Sequence, residues 1–363
     1  MAERTLTQRD LNRALLARQL LLERSPKSVV PALEAVGGLQ TQNATGGYVG
    51  LWTRLEKFEM ADLTKALEDR RAVQGTMMRI TIHLVSAGDY PLVAAGTRPS
   101  RRAGWLRYHQ GRVTEADVQK AATAAKKALA KGPLSRKQLN PFVESSTVWN
   151  GVNALYDVLR VPPSGTWERR RADIYAMAAE WLGPSKATEA EGLELLLKRY
   201  LAGFGPARLA DAANWAGVPP KKLQPAAETL QLRRFEDEEG KELLDLPRMP
   251  LPQAKTPAPA RFLPVWDAIL LAHARRAKIL ADEYRPLIFT TKTPQSVNTF
   301  LVDGAVAGKW SVKRATKKAE LLVEPFEKLP AKARKELEAE GERLVRFHEP
   351  DAESHTVRLV GSA

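Results

Sequence analysis

The chain has no cysteine and only five histidines in 363 residues. Without thiols it can form no disulfide, no thiolate zinc site and no cysteine nucleophile, which suits a reducing, cytoplasmic setting. Asp267, His273 and His348 do not stand at metal-ligand spacing, so neither metal nor cofactor is expected. No apolar run approaches the roughly 18 residues that a membrane span needs. The opening residues, MAERTLTQRD, lack the apolar stretch of a signal peptide. Glycine-rich phosphate loops and nucleophile triads are also missing. The expectation is a soluble cytoplasmic monomer whose chemistry uses ordinary polar side chains.

Positive charge is abundant. Lys and Arg total 56 against 42 Asp and Glu, a formal net charge of +14. Such an excess bears on partners rather than fold, and it favours polyanions, most simply nucleic acid. Hydrophobic residues make up 44% of the chain, enough for several packed cores, and the length suggests two to four domains.

Residues 7–24 pattern as a helix, with an apolar stripe of Leu11, Leu15, Leu16 and Leu22 and a capping box from Thr7 and Asp10. A second helix begins at Ser25 and Pro26 and should stop at Gly37, because glycine takes the left-handed conformation cheaply. The stretch GGLQTQN then carries Gln40 and Gln42 in an extended or loop segment. Residues 60–71 form another amphipathic helix. Residues 73–85 read as strand, with a turn at Gln74 and Gly75. From Met78 to Leu84 polar and apolar residues alternate, which puts Arg79, Thr81 and His83 on one face. Helices followed by a strand pair is the order of a winged helix.

The order recurs twice. Helices at 114–131 and 187–202 each run into Gly-Pro, at 132–133 and 205–206, and a short helix follows. Candidate wings follow at 161–174 and 232–246, the second turning near Glu239 and Gly240. Residues 246–264 are a proline-rich linker. Beyond it, strands at 287–291, 296–302 and 305–312, with an Asp303-Gly304 turn, then 321–326 and 356–360 around a helix at 330–346, suggest a small barrel. The expected fold is α+β: winged helices at 1–113, 114–185 and 186–250, then a linker and β-barrel domain at 251–363.

Several segments, taken together, resemble the winged-helix DNA glycosylases of the AlkZ–YcaQ superfamily. They are LNRALLARQLLLER, GGLQTQN, TMMRITIHLVS, RVPPSGTW, RYLAGFGPARLADAANWAGV, and FLPVWDAILLAHARR through FLVDGAVAGKW, in family order over nearly the whole chain. The resemblance implies three winged helices in an arc closed by a C-terminal β-barrel. It also implies a monofunctional glycosylase acting on N7-alkylated purines, bulky adducts or crosslinks in double-stranded DNA. Gln40 and Gln42 match the family's catalytic Gln-x-Gln motif and favour the AlkZ-like branch, since the YcaQ-like branch has Asp at the second position. Thr41 departs from the apolar middle residue usual there.

The chemistry is coherent without the resemblance. A purine alkylated at N7 is cationic and leaves readily, so a strong general acid is not required. What remains is to orient a water at C1′ and stabilise an oxocarbenium-like sugar, which amide oxygens can do. In an extended chain residues i and i+2 point the same way, whereas on a helix they diverge by about 200°. DNA contacts are expected from Arg79, Thr81 and His83, from Trp167 with Arg169, Arg170 and Arg171, from Arg98, Arg101 and Arg102, and from Lys309, Lys313 and Arg314. Solvated basic faces, a satisfied and partly buried histidine for His83, and a core role for Trp167 are the plainer readings. The alternative function is a non-enzymatic regulator built of tandem winged helices, which would read base edges and bind one sequence tightly.

Overall fold

Thr7 accepts from the Asp10 N–H while the Asp10 carboxylate accepts from the Thr7 N–H, and this reciprocal cap starts the helix Gln8–Arg18. The computed structural model describes residues 2–143, 145–171, 173–273, 279–290 and 295–361. The first helix stops short of residue 24, and Leu20 beyond it turns to a φ of 57°. The next helix, Val29–Val36, ends at Gly37 with φ 76°, and Gly38 follows at φ 79°. A Cβ on Gly38 would lie 2.8 Å from Val85 Cγ1. Both glycines are needed to fold the chain back and lay the strand Leu39–Gln40 along Ile82–Ser86.

A six-stranded sheet organises the first half of the chain, in the order Leu39–Gln40, Ile82–Ser86, Ala72–Thr76, Val158–Arg160, Ile174–Met177, Leu134–Ser135. Ala72–Thr76 pairs with Ile82–Ser86 on one side and with Val158–Arg160 on the other, where Gln74 stands opposite Arg160. Residues more than eighty positions apart therefore share one surface beside Gln40.

Three local expectations are corrected. Gly75 sits inside a strand rather than in a turn, and the hairpin turns instead at 77–81, with Met78–Ile80 in a short 3-10 helix. Arg79 and Ile80 take φ of 54° and 59°, so the alternation from Met78 does not make a strand, and Arg79, Thr81 and His83 do not share a face. Arg98, Arg101 and Arg102 lie in one long helix, Tyr90–Tyr108, which continues through Pro99. At 287–291, Leu287 closes a helical turn, Arg285–Ile288, and only Phe289–Thr290 is strand; Thr291 lies outside the described residues.

The helix Glu189–Phe204 is the core of the third stretch. Leu193, Leu196, Leu197, Tyr200, Leu201 and Phe204 recur every three or four residues and are buried. Each contributes about 1.5–3 kcal/mol by burial. Its Gly192 meets Gly96 of Tyr90–Tyr108 so closely that a Cβ on Gly96 would lie 2.7 Å from the Gly192 carbonyl carbon. The hairpin Arg233–Asp237 and Glu242–Asp245 follows, and the strand Thr5–Leu6 joins it in parallel.

The C-terminal sheet does not close into the expected barrel. Its order is Arg261–Leu263, Thr299–Val302, Ala305–Ala315, Lys318–Pro325, Ser354–Leu359, and the two end strands do not pair with each other. The reason is the helix Ala331–His348. It crosses one face with Leu337, Leu344 and Val345 buried, and returns the chain so that Ser354–Leu359 runs parallel to Lys318–Pro325. The Asp303-Gly304 turn has φ of 47° and 82°, both positive as a type I′ hairpin requires.

Buried ion pairs tie the stretches together. Arg18 pairs with Asp245 at 2.6 Å and Arg54 with Asp267 at 2.9 Å, all four side chains fully enclosed. Asp267 is thus a structural partner. The last three residues of FLPVWDAILLAHARR, from Ala274, lie outside the described residues.

Candidate active site

The Gln40-Thr41-Gln42 tripeptide hangs between a sheet edge and a helix start. Gln40 pairs with His83, the Thr41 N–H donates to the Ile82 carbonyl at 2.8 Å, and Asn43 caps the helix Ala44–Trp52. Backbone contacts therefore hold both sides of the tripeptide, and its extended form turns both amides toward the 79–82 turn. Gln40 Oε1 accepts from Arg79 Nη2 at 3.0 Å. Gln42 Oε1 accepts from the Ile82 N–H at 3.0 Å. Arginine and a backbone N–H can only donate, so both amides are oriented with the oxygen inward. Each oxygen keeps a second lone pair.

Arg79 is held from the other side as well. Its Nη1 donates to the Trp215 carbonyl in the last turn of the helix Leu209–Ala216. That carbonyl has no partner within its own helix, as is general for the last turn. The Trp215 of the third stretch is in this way linked to Gln40 of the first.

His83 is 2% exposed, and its Nδ1 lies 3.1 Å from the Thr81 carbonyl, so Nδ1 carries the proton. Burial, reinforced by the charge of Arg79, pushes its pKa down to about 3. The ring is neutral at physiological pH. Thr41 is fully buried and its hydroxyl has no hydrogen-bond partner among the described residues.

Gln42 is exposed and opens onto a cavity of about 420 Å³ shared with Ile80, Trp105, Tyr108, Trp149 and Arg160. No Asp or Glu is among the described residues that line it. Gln40, 7% exposed, lies behind the wall. Aromatic and apolar surface with a few amides and one guanidinium suits a planar organic ligand better than an ion. Among the described residues no three His, Asp or Glu side chains come together as a metal site would require.

The other candidate residues scatter. Arg101 is 2% exposed and turned inward, donating to Asp157 at 3.1 Å and to the Thr76 carbonyl. Arg98 pairs with the same carboxylate. Thr81 donates to the Met78 carbonyl at 3.0 Å and so stabilises the turn. Arg102 is exposed against Glu115, and Arg169 pairs with Asp173 at 2.8 Å. Trp167 is half-buried, edge-on to Tyr48 at 5.5 Å and His348 at 5.0 Å, and Arg170 stacks over its ring at 4.6 Å. Lys309 and Arg314 face Glu324 and Glu349 at 3.3 Å each, and Lys313 is exposed on the same strand. Sequence reasoning missed Arg160 and the aromatic wall of Trp105, Tyr108 and Trp149. Arg160 did carry a signal: it opens RVPPSGTW.

These features can be set against known proteins. A sequence model described as "DNA glycosylase AlkZ-like" matches residues 33–347. No curated protein matches. Among solved structures, the Streptomyces sahachiroi DNA glycosylase AlkZ superposes with a TM-score of 0.79 at 19% identity, covering 98% of this chain and 100% of that one. The superposition establishes a shared α+β fold. The family match spans most of the chain, including the Gln40–Gln42 segment, and on it the protein belongs to the AlkZ-like DNA glycosylase family.

Proposed function

We propose that this glycosylase hydrolyses the N-glycosidic bond of N7-alkylated purines in double-stranded DNA, with Gln40 and Gln42 as its catalytic residues. It is monofunctional and leaves an abasic site. The observation that carries this reading is the Gln42 amide, fixed by the Ile82 N–H and exposed to a cavity that has no carboxylate among the described residues lining it. A purine that is already cationic needs no acid to leave. The free lone pair of Gln42 Oε1 accepts from the attacking water and faces the positive charge that develops on the sugar, while the Gln40 amide, held by Arg79 behind the wall, acts on that charge through its dipole. A neutral His83 adds no competing positive charge. The family membership favours this enzyme over a regulator.

On this reading the stretches 1–113, 114–185 and 186–250 act as winged-helix modules that hold the duplex, with 251–363 as a further unit. Backbone contacts come from exposed Arg102, Arg169, Arg170, Lys313 and Arg314 and from half-buried Lys309. Their present carboxylate partners are exposed or half-exposed in most cases, and such pairs are weak enough to be exchanged for phosphate. A cavity of about 420 Å³ leaves room for an adduct larger than a methyl group.

The test is incubation with duplex DNA containing N7-methylguanine, then alkaline cleavage of abasic sites. Wild-type protein should nick only the modified strand. Gln40→Ala and Gln42→Ala should each lose about 10²-fold or more in rate while still binding DNA. Full activity in both variants would refute the mechanism. Excision of small methylated bases only, with no bulkier adduct processed, would refute the wider substrate range.

A further inference from the structure

Arg160 is the last residue of the strand Val158–Arg160 and is 7% exposed. Among the described residues its hydrogen bonds run from Nη1 alone, to the Thr41 carbonyl at 3.5 Å and to Gln74 Oε1 at 3.3 Å. Nε is enclosed without a partner. No carboxylate pairs with it among the described residues. The molecule treats its other enclosed arginines differently. Arg18 has Asp245, Arg54 has Asp267, Arg101 has Asp157 and Arg13 has Asp303. A guanidinium withdrawn from water without a counterion is costly, and that cost is usually offset by an anion.

Its surroundings hold the side chain in place. Gly165, at φ +78°, lies so close that a Cβ there would stand 2.6 Å from Arg160 Cδ. Gln74 bridges the two, accepting from Arg160 and donating to the Gly165 carbonyl at 3.1 Å. Burial lowers the pKa of Arg160 to about 10, which still leaves it a cation at neutral pH. Arg160 lines the same cavity as Gln42.

The missing counterion must then come from whatever fills that cavity. The base in the proposed reaction is itself cationic, so it cannot be the anion. Duplex DNA offers one other group, the backbone phosphate, whose oxygens match a planar guanidinium. We propose that Arg160 anchors the phosphodiester next to the lesion nucleotide, and so sets the distance between C1′ and the glutamine pair. The inference rests on reading this cavity as the lesion site. Because Nη1 also holds the Thr41 carbonyl, the phosphate contact and the tripeptide that carries both glutamines are mechanically joined.

The experiment measures binding to a duplex with one tetrahydrofuran abasic analogue over a series of salt concentrations. Arg160→Gln should flatten the plot of log affinity against log salt by about 0.9, the value of one neutralised phosphate on duplex DNA, and Arg160→Lys should keep the wild-type slope. A methylphosphonate placed on either side of the analogue should weaken wild-type binding at one position, flattening the slope by the same amount, and should have no effect there on Arg160→Gln. An unchanged slope in a folded Arg160→Gln overturns the proposal. Should that variant fail to fold, the wild-type scan decides alone, and two methylphosphonates without effect on the slope overturn it. Wild-type protein that responds to the methylphosphonate but does not excise N7-methylguanine would support the anchor and refute the proposed function.

Discussion

Arg79 donates to the amide oxygen of Gln40 at 3.0 Å, from a residue whose own backbone is left-handed at φ 54°. The guanidinium also reaches the Trp215 carbonyl, so it bridges two parts of the chain that meet only in the folded state. It fixes which face of the Gln40 amide is presented. Arg79→Ala should therefore lower the excision rate constant by about 10²-fold, the scale on which small misplacements of a catalytic group act. The Michaelis constant should change little, and Arg79→Lys should restore part of the rate. Single-turnover kinetics on N7-methylguanine DNA checks this; a rise in the Michaelis constant with an unchanged rate would make Arg79 a DNA-binding residue instead.

Thr41 offers a change in the opposite direction. Its hydroxyl is enclosed and unpartnered, and its methyl group faces Gly47, where a Cβ would lie 3.2 Å from Thr41 Cγ2. An unsatisfied buried hydroxyl costs about 1–3 kcal/mol. Thr41→Val keeps the shape and removes the unpaired group. Urea unfolding should show a gain of about 1 kcal/mol or more, with excision within twofold of wild type. A loss of stability would mean that the hydroxyl is hydrogen-bonded in solution.

The parts of this site that sequence made legible are those governed by local chemistry. Gly37 marked the helix end, Asp303-Gly304 marked the hairpin turn, and the spacing of Gln40 and Gln42 required an extended chain, because each depends on a few neighbouring residues. The turn at 77–81 was hidden because Arg79 and Ile80 adopt positive φ without being glycine, which tertiary contacts such as Arg79 to Gln40 and Trp215 impose. Arg101 and Arg160 show the same limit. Arg101, in a basic run, reads as a surface contact, and Arg160, alone between apolar residues, draws no notice; only the fold reveals that Arg101 has met Asp157 and that Arg160 has met no carboxylate among the described residues. The barrel failed for a related reason: strand spacing does not say whether the end strands meet.

Asp267 and Arg54 form a fully enclosed pair, which gives a stability prediction with a built-in control. Asp267→Ala strands a guanidinium that also holds Gln19 and the Gly50 carbonyl, and should destabilise the protein by about 3–5 kcal/mol. Replacing both residues with apolar ones, as in Arg54→Met with Asp267→Leu, should recover much of that loss. Thermal or urea unfolding of the three proteins provides the measurement. Equal losses in the single and double variants would show that the pair is not the source of the effect.

His83 governs the pH response. Its folded pKa is lowered to about 3 from the ordinary histidine value of 6.5, first by burial and then by the charge of Arg79. The unfolded chain takes up a proton on His83 as pH falls through 6.5, and the folded chain does not until about 3. The neutral ring is therefore harmless to stability above 6.5, and below it stability is lost progressively down to about 3, by at most about 1.4 kcal/mol per pH unit. His83→Asn should make unfolding free energy less dependent on pH in that window, as a urea series between pH 4 and 8 at about unit steps would show. The rate of excision carries the opposite expectation. Because the ring does not titrate in the folded protein between about pH 5 and 8, and a cationic purine leaves without being protonated, the single-turnover rate should be level across that range. A limb near the ordinary histidine value that disappears in His83→Asn would make His83 an acid or base in the reaction, and the two glutamines would no longer suffice.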